Sequence, residues 1–369
     1  MTQKDQQNVP KLRFPGFEGV WEAKKVSDVF RITRGQVLAV PKMTQEPTEG
    51  SKYPVYSSQT KNNGLTGYYS EYLFEDAVTW TTDGANAGDV RYRSGKFYCT
   101  NVCGVLLSDE GFASQFASES LNRITHKYVS YVGNPKLMNN VMGGIQYHLP
   151  TLPEQRKIAS FLGSVDRKIA QLSQKKALIE DYKKGCMQQL FSQKIRFKDD
   201  NGKDFPDWEE KRLGEVLSIG SGRDYKHLGK GEIPVYGTGG LMTYVDDYLY
   251  DGESVCIGRK GTIDKPALIE GKFWTVDTLF YTHSFTGALP RFIYAIFQQV
   301  NWQMHNEASG VPSLSKSTIE RLKISLPDPD EQRKIAEFLS AIDRKIELVG
   351  TELEHARAFK KGLLQQMFV

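Results

Sequence analysis

Apolar residues keep a four-three rhythm over two long stretches of this chain. In the first the positions are Ile158, Leu162, Val165, Ile169, Leu172, Ile179, Cys186 and Leu190, interrupted by Lys176 and Lys183. In the second they are Ile335, Leu339, Ile342, Ile346, Val349, Leu353, Ala356, Leu363 and Met367, interrupted by Lys360. Such spacing over four or more heptads is the seam of a coiled coil, and it predicts two helices that pair with each other. An amphipathic helix lying on a globular core produces a similar stripe. Each predicted helix covers about 38 residues, roughly 57 Å at 1.5 Å per residue. Thr151 stands three residues before Glu154 and Asp328 three before Glu331, the spacing of a capping box. Pro153 and Pro329 fall in the first turn, where a missing N–H costs nothing.

The two stretches are copies. Glu154-Gln155-Arg156-Lys157-Ile158-Ala159 returns as Glu331-Gln332-Arg333-Lys334-Ile335-Ala336, a shift of 332 − 155 = 177 residues. Asp166-Arg167-Lys168-Ile169 and Lys183-Lys184-Gly185 return without a gap as Asp343-Arg344-Lys345-Ile346 and Lys360-Lys361-Gly362. A period this long exceeds the roughly 20–50 residues of a solenoid unit and points to a duplicated domain pair. Arg13-Phe14 through Trp21 also resembles Arg196-Phe197 through Trp208. The order is therefore circular: a lead-in segment (1–21), a first domain (22–150), a helical region (151–194), a second lead-in (195–208), a second domain (209–326) and a final helical region (327–369). Each helix follows a domain, so an antiparallel pair is expected to hold the two domains at opposite ends.

Both domains are Gly-, Tyr- and Thr-rich, with short β-type runs and a weaker internal match. Pro54-Val55-Tyr56 parallels Pro234-Val235-Tyr236, and Gly95-Lys96-Phe97-Tyr98 parallels Gly271-Lys272-Phe273-Trp274. Val78-Thr79-Trp80 parallels Val255-Cys256-Ile257, each running into a polar loop. The loops diverge: Thr81-Thr82-Asp83-Gly84-Ala85-Asn86 stands against Gly258-Arg259-Lys260-Gly261-Thr262. One scaffold with divergent polar loops is what two related readers of different sequences show, and loop drift after duplication gives the same pattern. The expected fold class is α+β: two similar α/β domains joined by two long helices in an antiparallel coiled coil, with an internal pseudo-two-fold repeat.

Composition changes this picture little. The content is that of a globular protein, 39% hydrophobic and 25% charged, with a net charge of +4 that permits nucleic-acid binding without demanding it. Cys99, Cys103, Cys186 and Cys256 follow no zinc spacing and read as reduced thiols of a cytoplasmic protein. The polar start Met1 to Gln7 lacks the marks of a signal peptide, and no apolar run approaches ~18 residues.

Patterns that carry catalysis are missing from the sequence. Gly258-Arg259-Lys260-Gly261-Thr262 lacks Walker A spacing, and no G-x-G-x-x-G leads from a strand into a helix. Pro206-Asp207 with Glu209-Glu210-Lys211 holds carboxylates too close in sequence to clamp a metal from separate strands. The six histidines are dispersed, with no i, i+4 pair, so no metal site is expected.

The remaining equipment suits duplex DNA, because Arg and Lys bind guanine edges and phosphates while Asn and Gln bind adenine. Candidates in the first domain are Lys61, Asn62, Asn63, Thr81, Thr82, Asp83, Asn86, Arg91 and Arg93. In the second they are Arg223, Lys226, His227, Arg259, Lys260, Lys265, Ser313, Ser315 and Lys316. Each taken singly is also an ordinary solvated residue. The first helical region carries 11 Lys/Arg against 4 Asp/Glu between Glu154 and Lys198, which fits a phosphate-facing or simply a basic solvent face.

Leu-Pro-x-x-x-Glu-Gln-x-x-Ile-Ala opening a long helix, present twice, closely resembles the specificity subunit of type I restriction-modification systems. Gly310 through Leu314-Ser315-Lys316 and Ile319 before the second copy, and Arg13-Phe14-Pro15-Gly16-Phe17 and Trp208-Glu209-Glu210-Lys211, add to the likeness. The first domain departs from the pattern near Met142-Gly143-Gly144-Ile145, where Leu-Ser-Lys is missing. The resemblance implies two target-recognition domains, each reading half of a split, asymmetric site in double-stranded DNA. It implies no catalysis by this chain. Adenine methylation and ATP-driven cleavage would belong to modification subunits, two of them, and to restriction subunits, so S-adenosylmethionine, ATP and Mg are expected on those partners. The seam residues Ile158, Leu162, Val165, Ile169, Leu172, Ile335, Leu339, Ile342, Ile346, Val349 and Leu353 are expected to pair the helices and form the subunit interface. Half-sites on one face of B-DNA lie about one turn apart, roughly 34 Å, a separation that a helical pair of roughly 57 Å accommodates. The competing reading is a duplicated scaffold that binds proteins without DNA specificity.

Overall fold

The computed structural model describes residues 8–59 and 61–369; the polar stretch Met1–Gln7 lies outside the described residues. Two compact units share the chain, Met1–Gln174 with Thr351–Val369, and Lys175–Gly350. Two long helices, α1 (Leu152–Phe191) and α2 (Pro329–Gln366), each contribute residues to both units. No described helix is long and apolar enough to cross a membrane.

Unit 1 contains strands β1 (Glu22–Lys25), β2 (Arg31–Arg34), β3 (Tyr53–Tyr56), β4 (Leu65–Tyr69), β5 (Phe74–Thr81), β6 (Val90–Cys99), β7 (Cys103–Leu107) and β8 (Gln146–Leu149). Six of them form one sheet in the order β2-β7-β5-β6-β3-β4. Every pairing in it is antiparallel except β3 with β6. The first and last strands close on each other, with Glu22 opposite Leu149. Residues 77–81 of β5 are all buried, with Val78 and Trp80 in one apolar cluster and Ala77 in another. Trp80 is 1% exposed, and its indole N–H donates to the Leu137 carbonyl at 3.0 Å.

Unit 2 repeats the plan with β9 (Glu209–Arg212), β10 (Ser218–Ser221), β11 (Ile233–Gly237), β12 (Gly240–Val245), β13 (Tyr250–Asp251), β14 (Ser254–Gly258), β15 (Ala267–Ile269), β16 (Lys272–Thr275), β17 (Leu279–His283) and β18 (Lys323–Leu326). The outer pair recurs as β9 with β18, Glu209 opposite Leu326. The single parallel pairing recurs as β11 with β16, and a register shift recurs at Val235/Tyr236 as at Val55/Tyr56. Where unit 1 runs one ten-residue strand β6, unit 2 breaks the ribbon into β15 and β16. Its other eight strands therefore fall into two sheets, β10-β17-β14-β15 and β12-β11-β16-β13.

Within each unit the helices pair antiparallel. In unit 1, Ile158 and Leu162 near the start of α1 share a core with Leu363 in the last turn of α2 and with Met367 and Phe368 just beyond it. In unit 2, Met187 and Leu190 near the end of α1 share a core with Ile335, Leu339 and Ile342. Burying a side chain of this size contributes about 1.5–3 kcal/mol. Leu172, Val349 and Leu353 are also buried, while Val165, Ile169 and Ile346 are half-buried. Position 187 replaces 186 in the seam, with Met187 buried and Cys186 only partly so. The lysines that interrupt the rhythm are part of the packing. Lys183 is 9% exposed and bonds Asp343 at 2.7 Å and Gln298 at 2.9 Å. Lys360 bonds Glu119 at 2.7 Å and Asp166 at 3.0 Å.

The motif that opens each helix differs from a capping box. Glu154 is 1% exposed and accepts from Arg13 Nε at 2.8 Å and Nη2 at 2.7 Å. Glu331, fully buried, accepts from Arg196 Nε at 3.1 Å, Arg196 Nη2 at 2.8 Å and Trp208 Nε1 at 3.0 Å. A buried carboxylate needs a cation with several donors, and the lead-in arginine supplies both, so the glutamate turns to it and not back to the helix end. The helix end is capped at Asp328, whose Oδ1 accepts from the Asp330 N–H at 2.9 Å. The neighbouring glutamine ties the helix to the chain before it. Gln155 Nε2 donates to the Pro150 carbonyl and Gln332 Nε2 to the Pro327 carbonyl, each at 2.8 Å. The helix α1 ends at Phe191, short of 194, because Gln193 takes a left-handed conformation (φ 58) that no helix continues through.

Candidate nucleic-acid interface

The polar loops of each unit are built around one turn. In unit 1 it joins β6 to β7 at 100–102. On one side the Gly35 N–H donates to the Cys103 carbonyl at 2.9 Å and the Gln36 N–H to Cys99 at 3.1 Å. On the other, the Thr82 N–H donates to the Val102 carbonyl at 2.9 Å. Unit 2 repeats all three bonds around 276–278: Gly222 to Leu279 at 3.2 Å, Arg223 to Thr275 at 2.8 Å and Arg259 to Thr278 at 2.7 Å. A Cβ on Gly35 would meet the Cys99 carbonyl at 2.2 Å, and one on Gly222 the Val276 carbonyl at 2.0 Å. Only glycine allows this backbone approach, which places Gln36 and Arg223 beside the turn.

A second loop is laced to the first. In unit 1 the Gly84 N–H donates to the Pro135 carbonyl and the Leu137 N–H to the Thr82 carbonyl, both at 2.9 Å, with an antiparallel bridge between Asp83 and Lys136. In unit 2 Gly261 donates to Pro312 and Leu314 to Arg259, both at 2.9 Å, with a bridge between Lys260 and Ser313. Every equivalent pair here keeps the helical offset, 312 − 135 = 177 and 261 − 84 = 177. The counterpart of Leu314-Ser315-Lys316 is therefore Leu137-Met138-Asn139, and the first domain departs from the pattern there and not at Met142–Ile145. Ser315 caps the short helix Lys316–Glu320 by accepting from the Thr318 N–H at 3.2 Å, whereas the Met138 side chain makes no capping bond. The hydroxyls of Thr318 and Ser315 donate to Glu307 and hold its carboxyl below the ordinary range.

Of the unit 1 candidates, Lys61, Asn62 and Asn63 lie on an excursion between β3 and β4; the same hairpin in unit 2 turns through Thr238 and Gly239 alone. Asn62 (φ 49) and Asn63 (φ 55) are left-handed, a conformation asparagine tolerates better than most residues. Asn86 donates to the Ser58 carbonyl at 2.9 Å and Arg91 to Asn63 Oδ1 at 3.0 Å, so both brace this excursion. Three candidates are not open loop residues. Thr81 ends β5 and is buried, and so is Thr82, whose hydroxyl donates to Asp83 Oδ2 at 2.7 Å. Arg93 lies within β6, 9% exposed, with Nε on the Thr79 hydroxyl at 3.2 Å and its guanidinium 3.8 Å from the Tyr56 ring centre. Burial lowers the pKa of that guanidinium. The alternation of β6 turns Arg93 inward, where the aromatic face partly replaces water.

In unit 2, Arg223 and Arg259 flank the 276–278 turn, and Lys260, Ser313, Ser315 and Lys316 follow along the laced loops. Lys226 and His227 are exposed beyond Arg223, and the His227 ring stands 5.8 Å from Trp274. Lys265 is exposed farther along the first loop, and among the described hydrogen bonds none joins it to the others. Sequence reading passed over Gln36 and Lys136. The signal for Lys136 was present, since Pro135 and Leu137 precede Pro312 and Leu314 by the same 177 residues.

Between them the two units offer side-chain ammonium, guanidinium, amide and carboxylate groups around these turns, chemistry that matches phosphates and base edges. Cys99, Cys103 and Cys256 lie in the packed interior. Burial pushes Cys103 up to about 11 and Cys256 to about 12, which keeps both as neutral thiols. Among the described residues, no group of three or more His, Cys, Asp or Glu is placed to hold a metal ion.

A duplicated mixed α/β unit with divergent polar loops, carried on antiparallel helices, defines a two-part recognition scaffold. The chain belongs to the type I restriction modification DNA specificity family, whose model matches residues 18–181 and 206–356. A Mycoplasma pneumoniae protein provisionally described as a type I specificity subunit is 28% identical over 332 residues, covering 86% of this chain and 88% of its own. The type I restriction enzyme MjaVIII specificity subunit of Methanocaldococcus jannaschii is 24% identical over 398 aligned residues, covering 93% of this chain and 91% of its own. The fold is similar to the crystal structure of a type I restriction-modification S subunit from M. genitalium, with a TM-score of 0.75 at 18% identity, over 98% of this chain and 99% of that one.

Proposed function

We propose that this chain is the non-catalytic component that gives a type I restriction-modification complex its DNA sequence specificity. Each unit reads one half of a bipartite, asymmetric site in double-stranded DNA. The long helices set the number of base pairs between the halves and dock the methyltransferase subunits, two per complex. Adenine methylation with S-adenosylmethionine and ATP- and Mg-dependent cleavage belong to the modification and restriction subunits, and the complex works in the bacterial cytoplasm. The observation that carries this reading is the equivalence of the two edges: the same backbone bonds at the same offset hold Thr82-Asp83 in one unit and Arg259-Lys260 in the other. A fixed frame with different readers at matched positions is what two half-sites of different sequence require.

The test is methylome sequencing of cells that express this chain with a modification subunit. A bipartite motif that appears only when the chain is present supports the reading. Adenine methylation in the same motif without the chain, or methyl transfer by the purified chain alone, would overturn it.

A further inference from the structure

Asp83 and Lys260 occupy one backbone position in the two units. Each is the middle residue of a laced loop: the residue before it donates to the central turn, at 2.9 Å from Thr82 and 2.7 Å from Arg259. The residue after it, Gly84 or Gly261, donates to a proline carbonyl at 2.9 Å, and each faces a bridge partner, Lys136 or Ser313. The chemistry at this position is inverted. Asp83 only accepts hydrogen bonds, while Lys260 only donates.

We infer that this position is a specificity-determining contact in both units, with Asp83 selecting a base that presents an amino group in the major groove and Lys260 selecting guanine. The inference rests on the DNA-reading function proposed above. A carboxylate does not approach phosphate, so an acid on a DNA-facing edge is explained by a base edge that donates, and cytosine N4 is the donor that Asp and Glu accept. Two features of unit 1 prepare Asp83 for this. The Lys136 ammonium stands 4.0 Å from Asp83 Oδ1 and offsets its repulsion from the DNA backbone. The Thr82 hydroxyl donates to Oδ2 at 2.7 Å, which orients the carboxylate and leaves Oδ1 lone pairs for a base. In unit 2 the bridge partner is the neutral Ser313, and the nearby Glu307 carboxylate is taken by the Ser315 and Thr318 hydroxyls; among the described ion pairs none holds the exposed ammonium of Lys260, which can reach guanine O6 and N7. Lys136 is thus a positioning residue for Asp83.

The experiment exchanges the two side chains in the complex assembled with its modification subunit. Asp83→Lys, Lys260→Asp, Asp83→Asn and Lys136→Met are compared with the unchanged chain by methylome sequencing and by competition binding to oligonucleotides that vary one half-site at a time. Asp83→Lys is expected to change the preferred base at one position of one half-site toward guanine, and Lys260→Asp to change one position of the other half-site toward cytosine or adenine. Discrimination at the affected position should shift by about 5- to 150-fold, the range of one good base contact. Lys136→Met should weaken binding of that half-site while keeping its preferred base. Asp83→Asn keeps the shape and an acceptor, so it shows whether a variant fails through its chemistry or its fold. An unchanged motif from assembled Asp83→Lys and Lys260→Asp complexes, or a loss spread evenly over all sequences, overturns the assignment. Absence of any sequence preference in the unchanged complex would instead overturn the DNA-reading function itself.

Discussion

Lys183 bonds Asp343 at 2.7 Å, and 177 residues on Lys360 bonds Asp166 at 3.0 Å. In each pair the lysine comes from one copy of the repeat and the aspartate from the other, because the helices run antiparallel. Both lysines occupy positions where the apolar rhythm lapses, and both are drawn into a unit interior by a second acceptor, Gln298 or Glu119.

Replacing either lysine by methionine should therefore destabilise its own unit by about 2 kcal/mol, the scale of a partly buried charged hydrogen bond left unmade. Thermal unfolding of Lys360→Met and Lys183→Met followed by tryptophan fluorescence would show it. A melting temperature that does not move in either variant would remove these bonds from the stabilising set.

The same bond makes a pH prediction. Burial alone would lower the Lys360 pKa, but the hydrogen bond and charge of Glu119, joined by Asp166, outweigh it and raise the value above 10.5. A raised lysine pKa contributes stability that is complete below the unfolded value and lost as pH climbs through the folded one. Denaturant midpoints should fall above about pH 10.5, and the Lys360→Met variant should lack this part of the alkaline decline.

At the start of α2, Glu331 is fully buried among Arg196 and Trp208. Arg196→Ala leaves that carboxylate without its cation and should cost about 3–5 kcal/mol in unit 2. The paired change Arg196→Met with Glu331→Met should recover much of the loss. Chemical denaturation of the three variants checks both the size and the recovery.

In the loops of unit 2, Arg259→Ala or Lys260→Ala should relax one half-site only. A base contact predicts a loss of about 1–3 kcal/mol confined to one position, and a phosphate contact predicts an even loss with a shallower salt slope. Fluorescence anisotropy over a salt series separates the two, and unchanged affinity, slope and motif would take both residues out of the interface.

Inserting one heptad after Leu172 and one after Val349 keeps the four-three seam in phase and lengthens each helix by ~10.5 Å. At ~3.4 Å per base pair the spacer of the recognised site should grow by at most about 3 base pairs while both half-sites stay the same. Methylome sequencing reads both. Altered half-site bases at an unchanged spacer would mean that the helices do not set the distance.

The helical seam was legible because four-three spacing is a property of nearby residues, and Ile158, Leu162, Ile335 and Leu339 lie in the cores accordingly. The duplicated frame was legible wherever backbone demand and packing kept residues alike, as at Pro54-Val55-Tyr56 and Pro234-Val235-Tyr236. What escaped depends on partners distant in sequence. Nothing local tells that Lys183 will meet an aspartate 160 positions away, or that Glu154 will face Arg13 and not its own helix end. Arg93 reads as a surface cation until the phase of β6 and the Tyr56 ring are known. Lys136, by contrast, had a signal in the sequence, the 177-residue offset that aligns Pro135 and Leu137 with Pro312 and Leu314.

The register shift at Val55/Tyr56 has the same place in unit 2 at Val235/Tyr236, although one hairpin closes over a longer excursion and the other over Thr238-Gly239. Strand alignment in this ribbon is therefore set inside the sheet and is indifferent to the length of what emerges from it. That separation lets the hairpin lengthen or shorten without disturbing the strands it joins. Under the proposed reading, a change of loop length would alter the target preference of one unit and leave the ladder beneath it intact.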